Sequence, residues 1–160
     1  MLRNLLVGLP IMLLCLALQA AVSFWSVRYY VRRVKPMPAD GGGFAHLRPL
    51  LIVMIAIMLG NFVQIVIWGV LFLWLGEFKE LYEAVYHSAV NFTSLGYGDV
   101  VMSARWKLLG PLEAANGVLM FGMTAAALMA ILQQMIKVHM ESADVRTGSC
   151  TQVSRKVKRP

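Results

Sequence analysis

Seven consecutive residues in the middle of the chain combine two glycines, two hydroxyl side chains and a carboxylate: Thr93-Ser94-Leu95-Gly96-Tyr97-Gly98-Asp99. Glycine reaches positive φ at little cost, so Gly96 and Gly98 allow an extended backbone to turn successive carbonyl oxygens towards one side. Such oxygens can replace the water around a dehydrated cation, whose loss of solvation in a protein interior costs on the order of 20 kcal/mol. Because one strand supplies only one edge of a cage, an ion filter of this kind requires several copies of the chain around an axis.

Composition places these residues in a membrane protein. Of the 160 residues, 59% are hydrophobic and 14% are charged, which is too apolar for an ordinary soluble domain. The net charge of +7 does not indicate nucleic-acid binding. The basic residues lie at the ends of apolar runs and in the tail, where they set topology and contact anionic lipid headgroups. The positions of Cys15 and Cys150 predict neither a disulfide nor a metal site.

Three long apolar runs predict three transmembrane helices. The first lies in an N-terminal segment, 1–35, that ends in a basic and aromatic belt. It is longer than the apolar part of a signal peptide, about 7 to 15 residues, so we favour an uncleaved helix over a cleaved signal. A turn-rich linker, 36–48, leads to an outer helix, 49–75, with Pro49 at a plausible first position. Pro111 opens an inner helix, 111–137.

The amphipathic segment 80–92 is too short to cross a membrane. About 12 helical residues span roughly 18 Å, against about 30 Å of hydrocarbon, so the segment must enter and stop. Extended backbone after it, at 93–99, is tolerated at membrane depth only where protein or a water-filled cavity surrounds it. The C-terminal end of this helix, carrying roughly half a negative elementary charge, would favour a cation. The sequence therefore predicts a pore domain, 49–137, of outer helix, re-entrant pore helix, extended filter and inner helix.

The filter segment resembles the Thr-Val-Gly-Tyr-Gly-Asp signature of the potassium channel family. Over Leu50 to Lys137 the chain is similar to the bacterial two-transmembrane-helix pore module, here with an extra N-terminal membrane helix. The resemblance implies an all-α homotetramer that conducts K⁺, with no cofactor beside the permeating ion. It places K⁺ on the filter residues, with the Ser94 hydroxyl, where Thr is usual, at the innermost site and Leu95 where Val or Ile is usual: Ser94, Leu95, Gly96, Tyr97 and Gly98.

The same resemblance assigns supporting roles. Thr93 and Asp99 flank the filter, and Tyr86 occupies a position where several relatives carry an aromatic that hydrogen-bonds the terminal aspartate. Gly117 matches the glycine that relatives use as a bending point, with close helix packing as an equal alternative. At helical spacing from Gly117, four residues share one face, which we predict to line the cavity: Val118, Phe121, Ala125 and Met129.

Other polar residues receive structural interpretations. We expect His87 to be packed behind the filter rather than to sense protons. Asn61 and Gln64, three apart in the outer helix, should bond to a neighbouring helix rather than to a ligand. A carboxylate in the first turn of the inner helix, Glu113, suits the helix dipole. The polar tail, 138–160, is predicted to be disordered beyond its first turns.

Charge predicts orientation. Eleven of the 15 Lys and Arg residues lie in two segments: five from the basic belt through the linker (Arg28, Arg32, Arg33, Lys35 and Arg48) and six from Lys137 through the tail. This excess predicts that the linker and tail are cytoplasmic and that the filter mouth lies outside. With the resemblance, this indicates a bacterial inner (plasma) membrane.

The leading functional prediction is a K⁺-selective pore that conducts passively. A weakly selective cation channel and a non-conducting channel-like subunit are alternatives, because Ser94 replaces Thr and Val90 stands where some bacterial members carry a glutamate. A remote alternative is an intramembrane aspartyl protease, since Gly-Tyr-Gly-Asp fits Gly-x-Gly-Asp. That chemistry needs two carboxylates that share a proton. The other aspartates, Asp40 and Asp144, lie in cytoplasmic polar segments, so no enzyme is predicted.

Overall fold

The computed structural model describes residues 1–34 and 44–157, and within those ranges all regular structure is helical. Four helices follow one another: α1 (Leu2–Val34), α2 (Phe44–Trp74), α3 (Leu81–Phe92) and α4 (Leu109–Val157). Three of them contain stretches long and apolar enough to cross a membrane: Leu2–Arg33, Arg48–Trp74 and Leu109–Lys137. The predicted all-α fold with three candidate membrane spans is therefore confirmed. The fourth helix, α3, has 12 residues and is too short to cross.

Two helices extend beyond the ranges expected from the sequence. Helix α2 begins at Phe44 rather than at residue 49, so Pro49 lies inside it and part of the predicted linker is helical. Pro49 is the sixth residue of the helix and lacks the N–H that would donate to the carbonyl four residues earlier, so α2 has one backbone bond fewer there. Residues 35–43 of the linker lie outside the described ranges.

Helix α4 extends beyond its predicted range at the C-terminal end. It continues to Val157, whereas the polar composition predicted disorder beyond the first turns of the tail. The sequence from 138 to 157 contains no proline to interrupt the hydrogen-bond ladder of the helix. The prediction of the helix end from the polar composition of the tail was therefore wrong.

The first helix is an integral part of the bundle. It packs against both α2 and α4, and its Cys15 lies in a buried apolar cluster with Trp68, Phe72 and Leu109. Gly8 faces Leu112 so closely that a Cβ at this position would lie 2.8 Å from its Cδ1. Small residues at such crossings let membrane helices approach one another. Residues outside the region of family resemblance thus support the inner helix.

A buried polar network joins the three long helices. Gln64 Nε2 donates to Gln19 Oε1 at 2.9 Å, and Gln19 Nε2 donates to Thr124 Oγ1 at 3.1 Å. Asn61 Nδ2 also reaches Thr124 Oγ1, at 3.4 Å. The two polar residues of α2 bond to neighbouring helices, as the sequence analysis expected. Such bonds stabilise helix association where apolar lipid provides no hydrophobic driving force.

Replacing Gln19 by leucine should therefore weaken the packing of α1. The substitution leaves Gln64 Nε2 without its acceptor and removes one of the two donors to Thr124 Oγ1, with an expected loss of about 1–2 kcal/mol in the free energy of unfolding. Thermal unfolding of the full chain in detergent measures this. Gln133→Leu makes the same chemical change at an exposed position of α4 and should have a smaller effect. Equal losses in the two variants would mean that the network does not hold α1.

Candidate ion filter

The end of α3 sets the direction of the filter segment. Leu95 N donates to Val90 O at 2.9 Å and Ser94 N donates to Asn91 O at 2.8 Å, with Ser94 at φ 57°. This pair of bonds around one left-handed residue is a Schellman motif, which ends a helix and satisfies its last carbonyls. Thr93 adds a second cap, because its hydroxyl donates to Ala89 O at 2.8 Å. The helix therefore stops just before the predicted filter.

The filter backbone alternates in handedness. No helix or strand is assigned to residues 95–98, and positive φ occurs at every second residue, with Ser94 at 57°, Gly96 at 61° and Gly98 at 73°. In a β-strand, similar dihedrals at every residue point successive groups to opposite faces. Alternation of the sign of φ instead favours successive carbonyls on one side. Glycine reaches this region at little cost, whereas Ser94 does so with a Cβ.

None of the described residues covers this segment. Residues 93–99 are all exposed, including the apolar Leu95 at 54% and Tyr97 at 68%. A Cβ added at Gly96 or Gly98 would meet nothing within 4 Å. The segment is therefore held at its ends, while its flanks are open.

Two contacts hold the outer end of the filter. The Tyr86 hydroxyl donates to Asp99 Oδ2 at 2.7 Å, joining the two residues that the resemblance paired. This bond holds the pKa of Asp99 below its usual value and raises the pKa of Tyr86. Farther out, Ser103 donates from its N and Oγ to the two carboxylate oxygens of Glu77, at 2.6 and 2.7 Å. The Glu77–Ser103 clamp was not predicted, because the residues are far apart in sequence.

His87 braces the filter from behind. It is buried between the rings of Phe72 and Phe78, with centroids at 5.7 and 5.1 Å. Its Nδ1 lies 2.9 Å from Val100 O, and Asn91 Nδ2 lies 2.9 Å from its Nε2. A neutral ring that donates from Nδ1 to the carbonyl and accepts the Asn91 amide at Nε2 satisfies both contacts. Burial lowers the pKa of His87 and favours this neutral form.

Gly117 is the point at which α4 meets the end of α3. A Cβ at this position would lie 1.8 Å from Phe92 O and 2.7 Å from its carbonyl carbon. Only glycine permits this approach without movement of the pore helix. The contact provides a packing role for Gly117, and α4 is continuous through it. Its use as a hinge stays a prediction.

The face of α4 that is predicted to line the cavity is exposed in the single subunit. Val118, Phe121, Ala125 and Met129 are all exposed, and Phe121 reaches back to Phe92 with ring centroids 5.7 Å apart. Their role in lining a cavity stays a prediction.

Three buried polar residues of α3 and α4, where these helices pack together, were not recognised from the sequence as a group: Ser88, Glu113 and Asn116. A carboxylate inside an apolar run was the available signal, since ionisable residues within membrane helices usually have a function. The sequence analysis interpreted Glu113 only as a carboxylate at the helix start and so missed this signal, although the side chain is fully buried.

Tyr86→Phe should release Asp99. Without the hydroxyl donor, which is the largest cause of the lowered value, the pKa of Asp99 should rise towards that of an ordinary aspartate. Because the native pKa lies below the unfolded one, the bond stabilises the fold above about pH 4 and is lost as pH falls through the native pKa. A ¹³C NMR titration of the Asp99 carboxyl measures the shift. Tyr82→Phe, on the same helix and exposed, is the control; an unchanged Asp99 titration in Tyr86→Phe would refute the pairing.

Gly117→Ala should separate α3 from α4. The added methyl overlaps Phe92 O, so an overpacking loss of about 1–3 kcal/mol is expected in the free energy of unfolding. Gly122→Ala places the same methyl where nothing lies within 4 Å and should change stability little. Thermal unfolding of both variants in detergent tests this, and equal stability of the two would contradict the close approach.

The comparisons with known proteins place this geometry in context. Residues 61–134 match the protein family described as Ion channel. Comparison of the chain with curated proteins and with solved structures gave no match. The matched region contains the second half of α2, all of α3 and the filter segment, and most of the apolar part of α4. With the three long apolar helices, the match supports an ion channel domain in an integral membrane protein.

Proposed function

We propose that this chain forms a K⁺-selective channel in which four copies surround one axis and conduct passively. The observation that carries the proposal is the alternation of φ at Ser94, Gly96 and Gly98 in an exposed, non-helical segment. Its similarity to the potassium channel signature and the match to an ion channel family support it. A channel family also indicates transport rather than catalysis, so we propose no enzymatic activity.

Dehydration explains why the filter needs oxygen atoms. A cation that enters a protein interior loses solvation worth on the order of 20 kcal/mol unless ligands replace the water. In the proposal, K⁺ is bound by main-chain oxygens and, at the inner end, by the Ser94 hydroxyl, and no cofactor takes part: Ser94, Leu95, Gly96 and Tyr97 supply the ligands, with Gly98 at the outer end.

The open flanks of the filter support a homotetramer. Leu95 and Tyr97 are more than half exposed and their segment is not helical, so its backbone N–H and C=O groups at membrane depth need a surround of protein or of an aqueous cavity. Neighbouring copies would supply it. Thr93, Tyr86 and Asp99 then hold each strand against its own pore helix.

The inner helix provides the proposed cavity. Val118, Phe121, Ala125 and Met129 would face the axis below the filter, and the C-terminal end of α3 would favour a cation there. Gly117 is the proposed bending point of this helix, in addition to its contact with Phe92.

Aromatic and basic residues mark the two ends of α1. Arg3 and Arg105 lie over the Trp106 ring, at 4.8 and 5.5 Å from its centroid, and Arg33 lies 5.7 Å from the Tyr29 ring. Such pairs are typical of membrane interfaces. They support a protein that spans the membrane and whose basic belt contacts anionic headgroups. The excess of Lys and Arg on the linker and tail side supports a cytoplasmic position for both, in an inner membrane.

A weakly selective cation channel is the second candidate. The observation that favours it is Ser94. Its Cβ lacks the methyl group of threonine that would restrict the side-chain rotamer, and its left-handed backbone places the Cβ under strain. A non-conducting subunit would share the same structure.

Flux through liposomes that contain the purified chain tests the proposal. K⁺ and Rb⁺ should permeate and Na⁺ should be excluded, and Gly98→Ala should abolish selective flux. Alanine at positive φ costs about 1–2 kcal/mol. Gly76→Ala is the matched control, because Gly76 has φ 75° and equal open space but lies in the turn after α2.

Three outcomes would contradict the proposal. Equal K⁺ and Na⁺ flux would indicate the weakly selective channel. No flux of any cation would indicate the non-conducting subunit. Selective flux that survives Gly98→Ala but is lost in Gly76→Ala would move the filter away from residues 94–98.

A further inference from the structure

Three oxygen atoms from three helices meet behind the pore helix. The Ser88 Oγ of α3 lies 2.7 Å from Ile65 O of α2 and within hydrogen-bond distance of Glu113 Oε1 of α4. Ser88 and Glu113 are fully buried, and Ile65 is nearly so. The contacts form a chain in which Ser88 is the middle member.

Counting hydrogen atoms determines the protonation state of Glu113 in this series of contacts. Two oxygen–oxygen contacts need two hydrogens, and a serine hydroxyl has one. The Ile65 carbonyl can only accept, so the Ser88 hydrogen belongs to that contact. An ionised Glu113 would also only accept, which would leave two lone-pair oxygens facing each other. We infer that Glu113 is a neutral carboxylic acid that donates from Oε1 to Ser88 Oγ, while Ser88 donates to Ile65 O.

The surroundings of Glu113 agree with a neutral acid. Its second oxygen, Oε2, has no hydrogen-bond partner among the described residues. Besides Ser88, the groups beside Glu113 are Asn91 from α3 and Cys15 from α1, and Cys15 in turn lies beside Trp68 of α2 and Asn116 of α4. The titratable group next to Asn91 is His87, which the Val100 and Asn91 contacts favour in its neutral form. A buried carboxylate without a cationic partner is strongly disfavoured.

The proton therefore has a positioning role. It joins the inner helix to the pore helix and, through Ser88, to the outer helix. Ser88 lies two residues before Val90, where the Schellman motif begins, and Glu113 lies one turn before Gly117. Loss of the proton would break the link at a point that sets the position of α3 against α4. The proton count rests on contacts within one subunit, whereas an effect on conduction rests on the proposed function.

Infrared spectroscopy of the full chain in lipid tests the proton directly. At neutral pH the wild type should show a carboxylic acid C=O band that Glu113→Gln removes completely. Glu83→Gln, an equivalent change at an exposed position of α3, should retain the band. Ser88→Ala should shift the frequency of the band without removing it, which provides a second test if Glu113→Gln fails to fold. Absence of the band in the wild type, or its persistence in Glu113→Gln, would overturn the inference.

Alkaline pH tests the link. The thermal stability of the wild type should fall as pH rises and Glu113 ionises, because the native state holds a proton that the unfolded chain has lost. Glu113→Gln should be folded and largely insensitive to this change, since its amide donates to Ser88 Oγ at any pH. Glu113→Ala should be less stable throughout. Equal alkaline sensitivity in the wild type and Glu113→Gln would contradict the link.

Flux separates this inference from the proposed function. If the channel conducts, K⁺ flux should fall at alkaline pH in the wild type and persist in Glu113→Gln. If the chain carries no flux at any pH but shows the carboxylic acid band, the proposed function fails and the protonated Glu113 stands. If the chain carries K⁺ flux but shows no carboxylic acid band, the proposed function stands and the protonated Glu113 is refuted.

Discussion

Main-chain polar groups at membrane depth need partners, and this requirement organises the structure around residues 93–103. Helices satisfy it internally, but the segment after α3 is not helical and can exist there only if protein or an aqueous cavity surrounds it. The chain meets the requirement at the ends of the segment. The Schellman motif satisfies the last carbonyls of α3, and His87 bonds to Val100 O on the far side of the filter. Between these anchors, residues 95–98 keep their oxygens available.

The same scarcity of water explains the polar interior. Gln19, Gln64 and Thr124 satisfy one another across three helices, and Ser88 joins Glu113 to a backbone carbonyl. Because lipid tails are as apolar as leucine, helices in a membrane associate through such bonds and through close packing at small residues. Gly117 against Phe92 and Gly8 against Leu112 are packing contacts of the second kind. The first helix takes part in both, which makes it a structural part of the helix bundle.

Local features of the sequence predicted much of this arrangement. Apolar length predicted the three spans, and the short amphipathic segment predicted α3. The pairing of Tyr86 with Asp99 came from resemblance and is present as a hydrogen bond. Features that depend on tertiary packing were not accessible. The apolar run around Glu113 was a signal of a buried acid, but its partner Ser88 lies 25 residues away in sequence. Glu77 and Ser103 likewise meet only because α3 and the filter segment bring the chain back. Helix ends were the least predictable, since the start of α2 and the extension of α4 depend on continuous backbone bonding rather than on hydropathy.

The central claim is that main-chain oxygens of residues 94–97, from several copies of the chain, replace the water around a permeating cation. Anomalous X-ray scattering from crystals of the assembled protein soaked in Tl⁺ or Rb⁺ tests this claim most directly. The account predicts a row of ion peaks along a fourfold axis, each surrounded by oxygens of these residues and weakened in Gly98→Ala. Ion density that is absent from this axis, or bound by side chains alone, would contradict it.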